Sequence, residues 1–393
     1  MEQVIVKGRV TLFVGLTQLI NWGITFYLLG AFGQAIGREL GWTQVMTYSG
    51  QTLSMGIMGL TSPFSGRILK HLGGKKMMAS GIVLNAAGCL LLAASQGPLS
   101  YWAAWVIMGA GMRLSLYDAA FAVLVDIAGP SARKSMTQVT LLGGLASVAF
   151  WSVGAWLLTV MGWRAGTVCY GLFALMSLLL LRCLPDKMSS PVTSGTQPAP
   201  SPCGLVDDNN RWSGWIYAAL MALLSFLSTG ISAHLPAMLA GFGVPVLIGT
   251  LWGVGQVSAR LSDVFMGAKG SPLGLNMLVG GILPFCFVFS LFSFHSTVSA
   301  ALFVLSYGAA NGLSTLVRAT LPLVLFDKHQ YADKLGTLLM PSFFLSALAP
   351  AIYASLLDAM GIYDTLLFSL SVSLIITVLS VALSFRERYR QGA

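Results

Sequence analysis

Three ionisable residues stand where ionisable residues are expensive. Arg113 and Asp118 lie inside the apolar run 101–127, which reads YWAAWVIMGAGMRLSLYDAAFAVLVDI, and Arg318 lies inside a second such run, 297–326. A charge at bilayer depth persists only where it meets a partner or a watery cavity, and such residues mark binding, gating or proton sites. Arg113 falls near the middle of its run. A guanidinium grips a carboxylate or phosphate through two parallel hydrogen bonds, so Arg113 is a candidate anchor for an anionic solute. Tyr117, one turn on, is either its local partner or a second ligand contact. Arg113 and Asp118 are five residues apart, about 140° around a helix, and are not expected to pair within it.

Further polar groups surround these charges. Gln18, Asn21, Trp22 and Thr25 recur at three- and four-residue spacing and form one stripe on the first span. Gln18, Asn21 and Thr25 are candidate substrate contacts, or else hydrogen bonds that glue helices together. Ser225, Ser228, Thr229 and Ser232 form a similar stripe on the seventh span. Pro322 removes the helical partner of the Arg318 carbonyl, which makes it a candidate hinge, and Pro350 does the same further on. The glycine pairs Gly109/Gly111 and Gly143/Gly144 are assigned to close helix packing. No histidine has a second ligand at metal spacing, so neither metal nor cofactor is expected. Cys89, Cys169, Cys183, Cys203 and Cys286 read as small core residues.

The elements that must hold these groups are membrane spans. The 393-residue chain is 56% hydrophobic and 9% charged, and its mean hydropathy is +0.79. Soluble domains carry about 25% charged residues. Twelve spans are expected: 10–32, 44–65, 77–95, 99–127, 138–160, 165–184, 212–235, 243–264, 273–294, 297–326, 335–357 and 362–385. The segment 185–211, rich in Pro, Ser and Thr, reads as a linker between an N-terminal half, 1–184, and a C-terminal half, 212–393.

The net charge of +9 is dispersed in short clusters between spans, which argues against nucleic-acid binding. Counted by side, 18 of the 22 Lys and Arg residues, Arg260 among them, fall on one face. The excess of positive charge on the inner face puts both termini and the linker in the cytoplasm. The halves also repeat: Asp126 matches Asp327, and Met161-Gly162 matches Met360-Gly361. In this register Asp118 matches Ala319, so Asp118 and Arg318 sit at similar depth on related helices. They are expected to meet when the cavity closes inward and part when it opens, with Asp118 also a candidate proton carrier; the alternative is a permanent local partner for each.

The loop after the second span, Gly66-Arg67-Ile68-Leu69-Lys70-His71-Leu72-Gly73-Gly74-Lys75-Lys76, resembles the conformational loop of the major facilitator superfamily. Lys70 stands where that family has an acid, which puts the family's cytoplasmic latch in doubt. Gly162-Trp163-Arg164 is also similar to the family, and the chain looks most like bacterial members near the monocarboxylate-porter branch. The resemblance implies an all-α membrane protein of twelve transmembrane helices, in two pseudo-symmetric six-helix bundles around one cavity. The first, fourth, seventh and tenth helices would line that cavity.

The reading that follows is a secondary transporter, not an enzyme. It moves a small anionic or zwitterionic solute through the bacterial inner membrane by alternating access, with proton coupling, and works as a monomer. Export of an amphipathic compound is the alternative. A non-transporting membrane protein is the third reading, and the spans show no nucleophile–base pair to support an enzyme. No Gly-rich Lys-Ser/Thr nucleotide motif points to ATP drive.

Overall fold

A bilayer offers no water to the peptide groups that cross it, so each spanning segment must bond its backbone within itself as a helix. The computed structural model describes residues 8–184, 208–266, 271–326 and 328–392. Among these, eight helical stretches are long and apolar enough to cross a membrane. Two of them, Arg133–Arg182 and Tyr331–Tyr389, run 50 and 59 residues, about twice what one crossing needs. Each turns back at a glycine, Gly162 (φ 77°, ψ 171°) or Gly361 (φ 79°, ψ 178°). That backbone region is essentially closed to any other residue. The Met-Gly repeat therefore marks equivalent turns with matching geometry.

The N-terminal half contains α1 (Gly8–Ile24), α2 (Leu28–Leu40), α3 (Gln44–Thr61), the short α4 (Ser65–Leu72), α5 (Gly74–Ala93), α6 (Pro98–Ser115), α7 (Tyr117–Ala128), α8 (Arg133–Gly144) and α9 (Ala146–Ser177). The C-terminal half contains α10 (Asp208–Gly241), α11 (Leu251–Met266), α12 (Pro272–Leu291), α13 (Thr297–Thr320), α14 (Pro322–Leu325), α15 (Lys328–Leu338) and α16 (Met340–Gly392). Polar α3 and the 16-residue α11 complete the twelve-span pattern.

Several spans differ from expectation. The first extends to Leu40 and breaks between α1 and α2. The fourth is two helices, divided at Leu116. The eighth begins at Leu251, because Gly243 (φ 72°) and Pro245 interrupt the backbone before it. The seventh starts at Asp208, inside the expected linker; 185–207 and Asp327 lie outside the described residues.

Within the first half, α1 packs on α8 and α9, and α5 on α6 and α9; within the second, α10 and α12 pack on α16, and α11 on α13. The ends of α2, α5 and α9 remote from the basic loops are tied by Glu39. It accepts from Trp163 Nε1 (2.6 Å) and Arg164 Nε (2.7 Å), while Arg164 Nη1 donates to the Ala93 and Ser95 carbonyls (2.6 and 2.7 Å). This gives the Gly-Trp-Arg sequence a physical role.

The halves meet through α3 and α4 against α15 and α16, through α8 against α11 and α13, and through α7 against α15. These contacts cluster at the end that carries the basic loops. Gly59 lies against Phe343 and Phe344, and Gly66 against the backbone of Asp333. Ser62 Oγ donates to the Gly336 carbonyl at 2.5 Å. The molecule is closed at its basic end.

Candidate functional site

The break in the fourth span builds the centre of the closed end. Leu116 is extended (φ −80°, ψ −170°), and the amides of Ala119 and Ala120 both turn to its carbonyl. The helical wheel does not carry across this step. Asp118 comes to 3.7 Å from Arg113 Nη1, a pairing that five-residue spacing on one helix had argued against.

Across the seam, Arg318 grips Asp118 in a two-bond fork, Nε to Oδ1 at 3.0 Å and Nη2 to Oδ2 at 2.9 Å. Its Nη1 donates to Ser342 Oγ (3.3 Å). Arg113 donates to Ser62 and Ser65 Oγ, each at 3.0 Å. Both guanidiniums lie over the Phe343 ring, 5.7 and 5.0 Å from its centre. Arg113 is 2% exposed and Asp118 8%. The expected Asp118–Arg318 meeting is thus formed, and Arg113 is committed to the same seam in this conformer. The Arg318 carbonyl freed by Pro322 accepts from Tyr217 Oη at 2.8 Å, and Tyr331 Oη donates to the Ala319 carbonyl at 2.9 Å. Pro350 lies inside α16, where its carbonyl meets His234 Nε2 at 2.9 Å.

Among the described residues, two further ion pairs cross the seam. Lys70 on α4 binds Asp333 on α15, so the loop does latch the halves, with the charge on the Lys70 side reversed. Arg133 Nη2 lies 3.7 Å from Asp263, which also accepts from Thr137 Oγ1 (3.0 Å). Gly73 (φ 76°) turns α4 into α5, and Gly74 fits against Val123. Arg67 and Lys76 of the same loop are exposed.

Arg260 is not a loop residue. Only 4% exposed, it is buried between the halves and not on the basic face. Its Nε and Nη2 make long contacts, 3.4 Å each, with the Gly312 carbonyl and Thr315 Oγ1. Its Nη1 has no hydrogen-bond partner. The neighbouring acid, Asp263, is engaged by Arg133 and Thr137. Nothing in the local sequence marks Arg260, which sits close to the end of an apolar run as an ordinary boundary arginine does.

The Gly143-Gly144 pair serves this group rather than helix packing alone. A Cβ on Gly144 would lie 2.1 Å from Arg260 Nη1, and one on Gly143 would lie 2.3 Å from Tyr117 Oη. Tyr117 donates to the Thr140 carbonyl (3.2 Å) and stacks parallel on Phe121. Trp22 lies 4.9 Å from Tyr117, centre to centre, and its Nε1 is buried without a partner.

The rest of the first-span stripe turns away from the seam. Gln18, Asn21 and Thr25 are 0% exposed and bond inside the N-terminal half. Gln18 Nε2 donates to the Ser115 carbonyl (2.8 Å), which the break has released from the helix. Asn21 accepts from Asn85 (3.1 Å) and donates to Ser177 Oγ (3.3 Å), and Thr25 bonds the Asn21 carbonyl (2.5 Å). These three are helix glue in this conformer, not an open substrate surface. In the seventh-span stripe, Thr229 and Ser232 bond their own helix. An apolar groove of about 190 Å³ beside Ile20, Phe150 and Met176 lies on the first half away from the arginines.

Residues 14–333 match the family model described as Major Facilitator Superfamily. No curated protein matches the chain. Among solved structures, the human organic anion transporter MFSD10 (TETRAN) superposes with a TM-score of 0.70 at 17% identity, over 95% of this chain and 99% of that one. The transporter FucP in the outward conformation gives 0.68 at 13%, over 97% and 98%. The proton:xylose symporter XylE bound to 6-bromo-6-deoxy-D-glucose gives 0.70 at 14%, over 96% and 94%. At these identities the superpositions speak to the fold, and it is a fold of multi-pass transporters, not of enzymes.

Proposed function

We propose that this chain, which belongs to the major facilitator superfamily, is a secondary transporter of a small organic anion in the bacterial inner membrane. One observation carries the reading: the guanidinium of Arg260 is buried with Nη1 unpartnered. A buried charge without a counter-charge is costly, and an arriving carboxylate relieves that cost. The second arginine of the seam, Arg113, shares Asp118 with Arg318 and has no second acid among the described residues. The printed name of MFSD10 adds an analogy at the level of fold.

The dominance of basic residues at the closed end supports placing that end, and both termini, in the cytoplasm. The conformer is then outward-facing. The solute enters from outside and binds Arg260. The halves, 1–184 and 212–393, rock about it, and Asp118 parts from Arg318 as the cytoplasmic end opens. Both oxygens of Asp118 are held by Arg318 here, so Asp118 takes up the coupled proton only after that parting. The transporter works as a monomer.

The test is thermal stabilisation of the purified protein by organic carboxylates, amino-acid zwitterions and lipophilic cations. A ligand at a hundred times its Kd stabilises by about 2.7 kcal/mol. Carboxylates are expected to raise the melting temperature of the unaltered protein and of Arg113→Gln, but not of Arg260→Gln. Stabilisation by lipophilic cations alone, or equal stabilisation of Arg260→Gln, overturns the reading.

A further inference from the structure

The geometry points to an aromatic carboxylate bearing a second hydrogen-bond acceptor as the solute, with Trp22 as the residue that selects it. This rests on Arg260 as the anion site and names what lies beyond the carboxylate. A buried indole N–H normally finds an acceptor, yet Trp22 Nε1 has none. Arg260 Nη1 is likewise buried without a partner; the third such N–H donor among the described residues, Trp105 Nε1, lies on α6. Trp22 and Arg260 both lie near Tyr117: the Trp22 ring is 4.9 Å from the Tyr117 ring, and the consecutive glycines Gly143 and Gly144 leave room for Tyr117 Oη and Arg260 Nη1 respectively. Gly143 and Gly144 put no side chain of their own between the guanidinium and the tyrosine.

The walls are flat and fixed. Tyr117 is stacked on Phe121 with 3° between the rings and tethered through its hydroxyl to Thr140. Phe26 meets Trp22 edge-on at 5.2 Å, and Tyr27 lies at 6.4 Å. Offset and edge contacts of this kind favour a planar ring over an aliphatic chain of similar size. Two unpartnered donors beside one aromatic wall call for two acceptors on one planar ligand. The carboxylate would take Arg260, and a ring hydroxyl, carbonyl or pyridine nitrogen would accept from Trp22 Nε1.

The experiment measures Kd for propionate, cyclohexanecarboxylate, benzoate, 4-hydroxybenzoate and pyridine-3-carboxylate on the purified full chain by calorimetry. Benzoate is expected to bind more tightly than cyclohexanecarboxylate, and an acceptor-bearing ring more tightly than benzoate by about three- to tenfold, the worth of one hydrogen bond. Trp22→Phe keeps the ring and removes the donor, so it should erase the second preference and keep the first. Equal binding of cyclohexanecarboxylate and benzoate overturns the inference, as does an acceptor preference that survives Trp22→Phe. The panel on the unaltered protein decides the ring preference even if the variant does not fold. Failure of the anion site itself looks different: no carboxylate binds, or Arg260→Gln binds them all unchanged, and both readings then fall.

Discussion

Asp118→Asn removes the one carboxylate that two guanidiniums share. Arg113 and Arg318 then face the same Phe343 ring with no counter-charge, and Arg113 is 2% exposed. Breaking one partner out of a buried pair costs about 3–5 kcal/mol. The part of this cost that comes from Arg318 falls on the closed conformer alone, because Asp118 and Arg318 lie on different halves, α7 and α13, whereas the Arg113–Asp118 contact lies within one half. A differential of about 3 kcal/mol shifts the balance toward the cytoplasm-open conformer by roughly 150-fold. Arg67 and Thr337 are exposed positions on the facing helices α4 and α15. Spin labels at these two positions, with the native cysteines replaced, report the separation by pulsed electron resonance. The unaltered protein should show a short distance, and Asp118→Asn mainly a long one. Asp118→Asn with Arg318→Gln leaves only Arg113 uncompensated, still held by Ser62 and Ser65, and should recover part of the short population. Unchanged distances in both variants would refute the gate.

The Lys70–Asp333 latch is exposed, 58% and 40% at the side chains, so Lys70→Glu should shift the same distance distribution by less than about 1 kcal/mol, and less in high salt. Exchanging the charges, Lys70→Asp with Asp333→Lys, should restore the unaltered distribution. Gly361→Ala places a Cβ on a backbone conformation that costs about 1–3 kcal/mol, and a lowered melting temperature checks it. Gly144→Ala pushes on Arg260 Nη1 and should weaken carboxylate binding in calorimetry with little change in melting temperature. Asn85→Leu strips partners from Asn21 and Ser115; it should lower stability by about 1–3 kcal/mol and leave the order of ligand preference unchanged.

The spans, the turn at each Met-Gly pair and the meeting of Asp118 with Arg318 were legible in the sequence, because composition, repetition and depth are one-dimensional properties. The stripe of Gln18, Asn21 and Thr25 was legible as a stripe, but periodicity does not say which neighbour a face meets. Arg260 was hidden for a related reason. A basic residue near the end of an apolar run is ordinary, and only the packing of α8 and α13 around it shows that it is buried between the halves in this conformer. The Arg113–Asp118 contact depended on a break at Leu116 that no proline announces. The pairing of Lys70 with Asp333 required the one long-range fact a loop motif lacks, namely the identity of the residue facing it.

The bends of the two halves have different chemical origins. In the second half, Pro236, Pro284 and Pro350 lie inside helices, where the missing N–H makes the defect covalent and permanent. In the first half, the interruptions at Thr25–Tyr27, Leu116 and Leu145 occur in chain that keeps every amide hydrogen. Such an interruption can anneal into continuous helix and break again, exchanging one set of acceptors for another. One half is therefore a pre-bent frame whose curvature survives any conformer. The other holds reversible joints, and the joint at Leu116 sits directly beside the carboxylate on which the closed end depends.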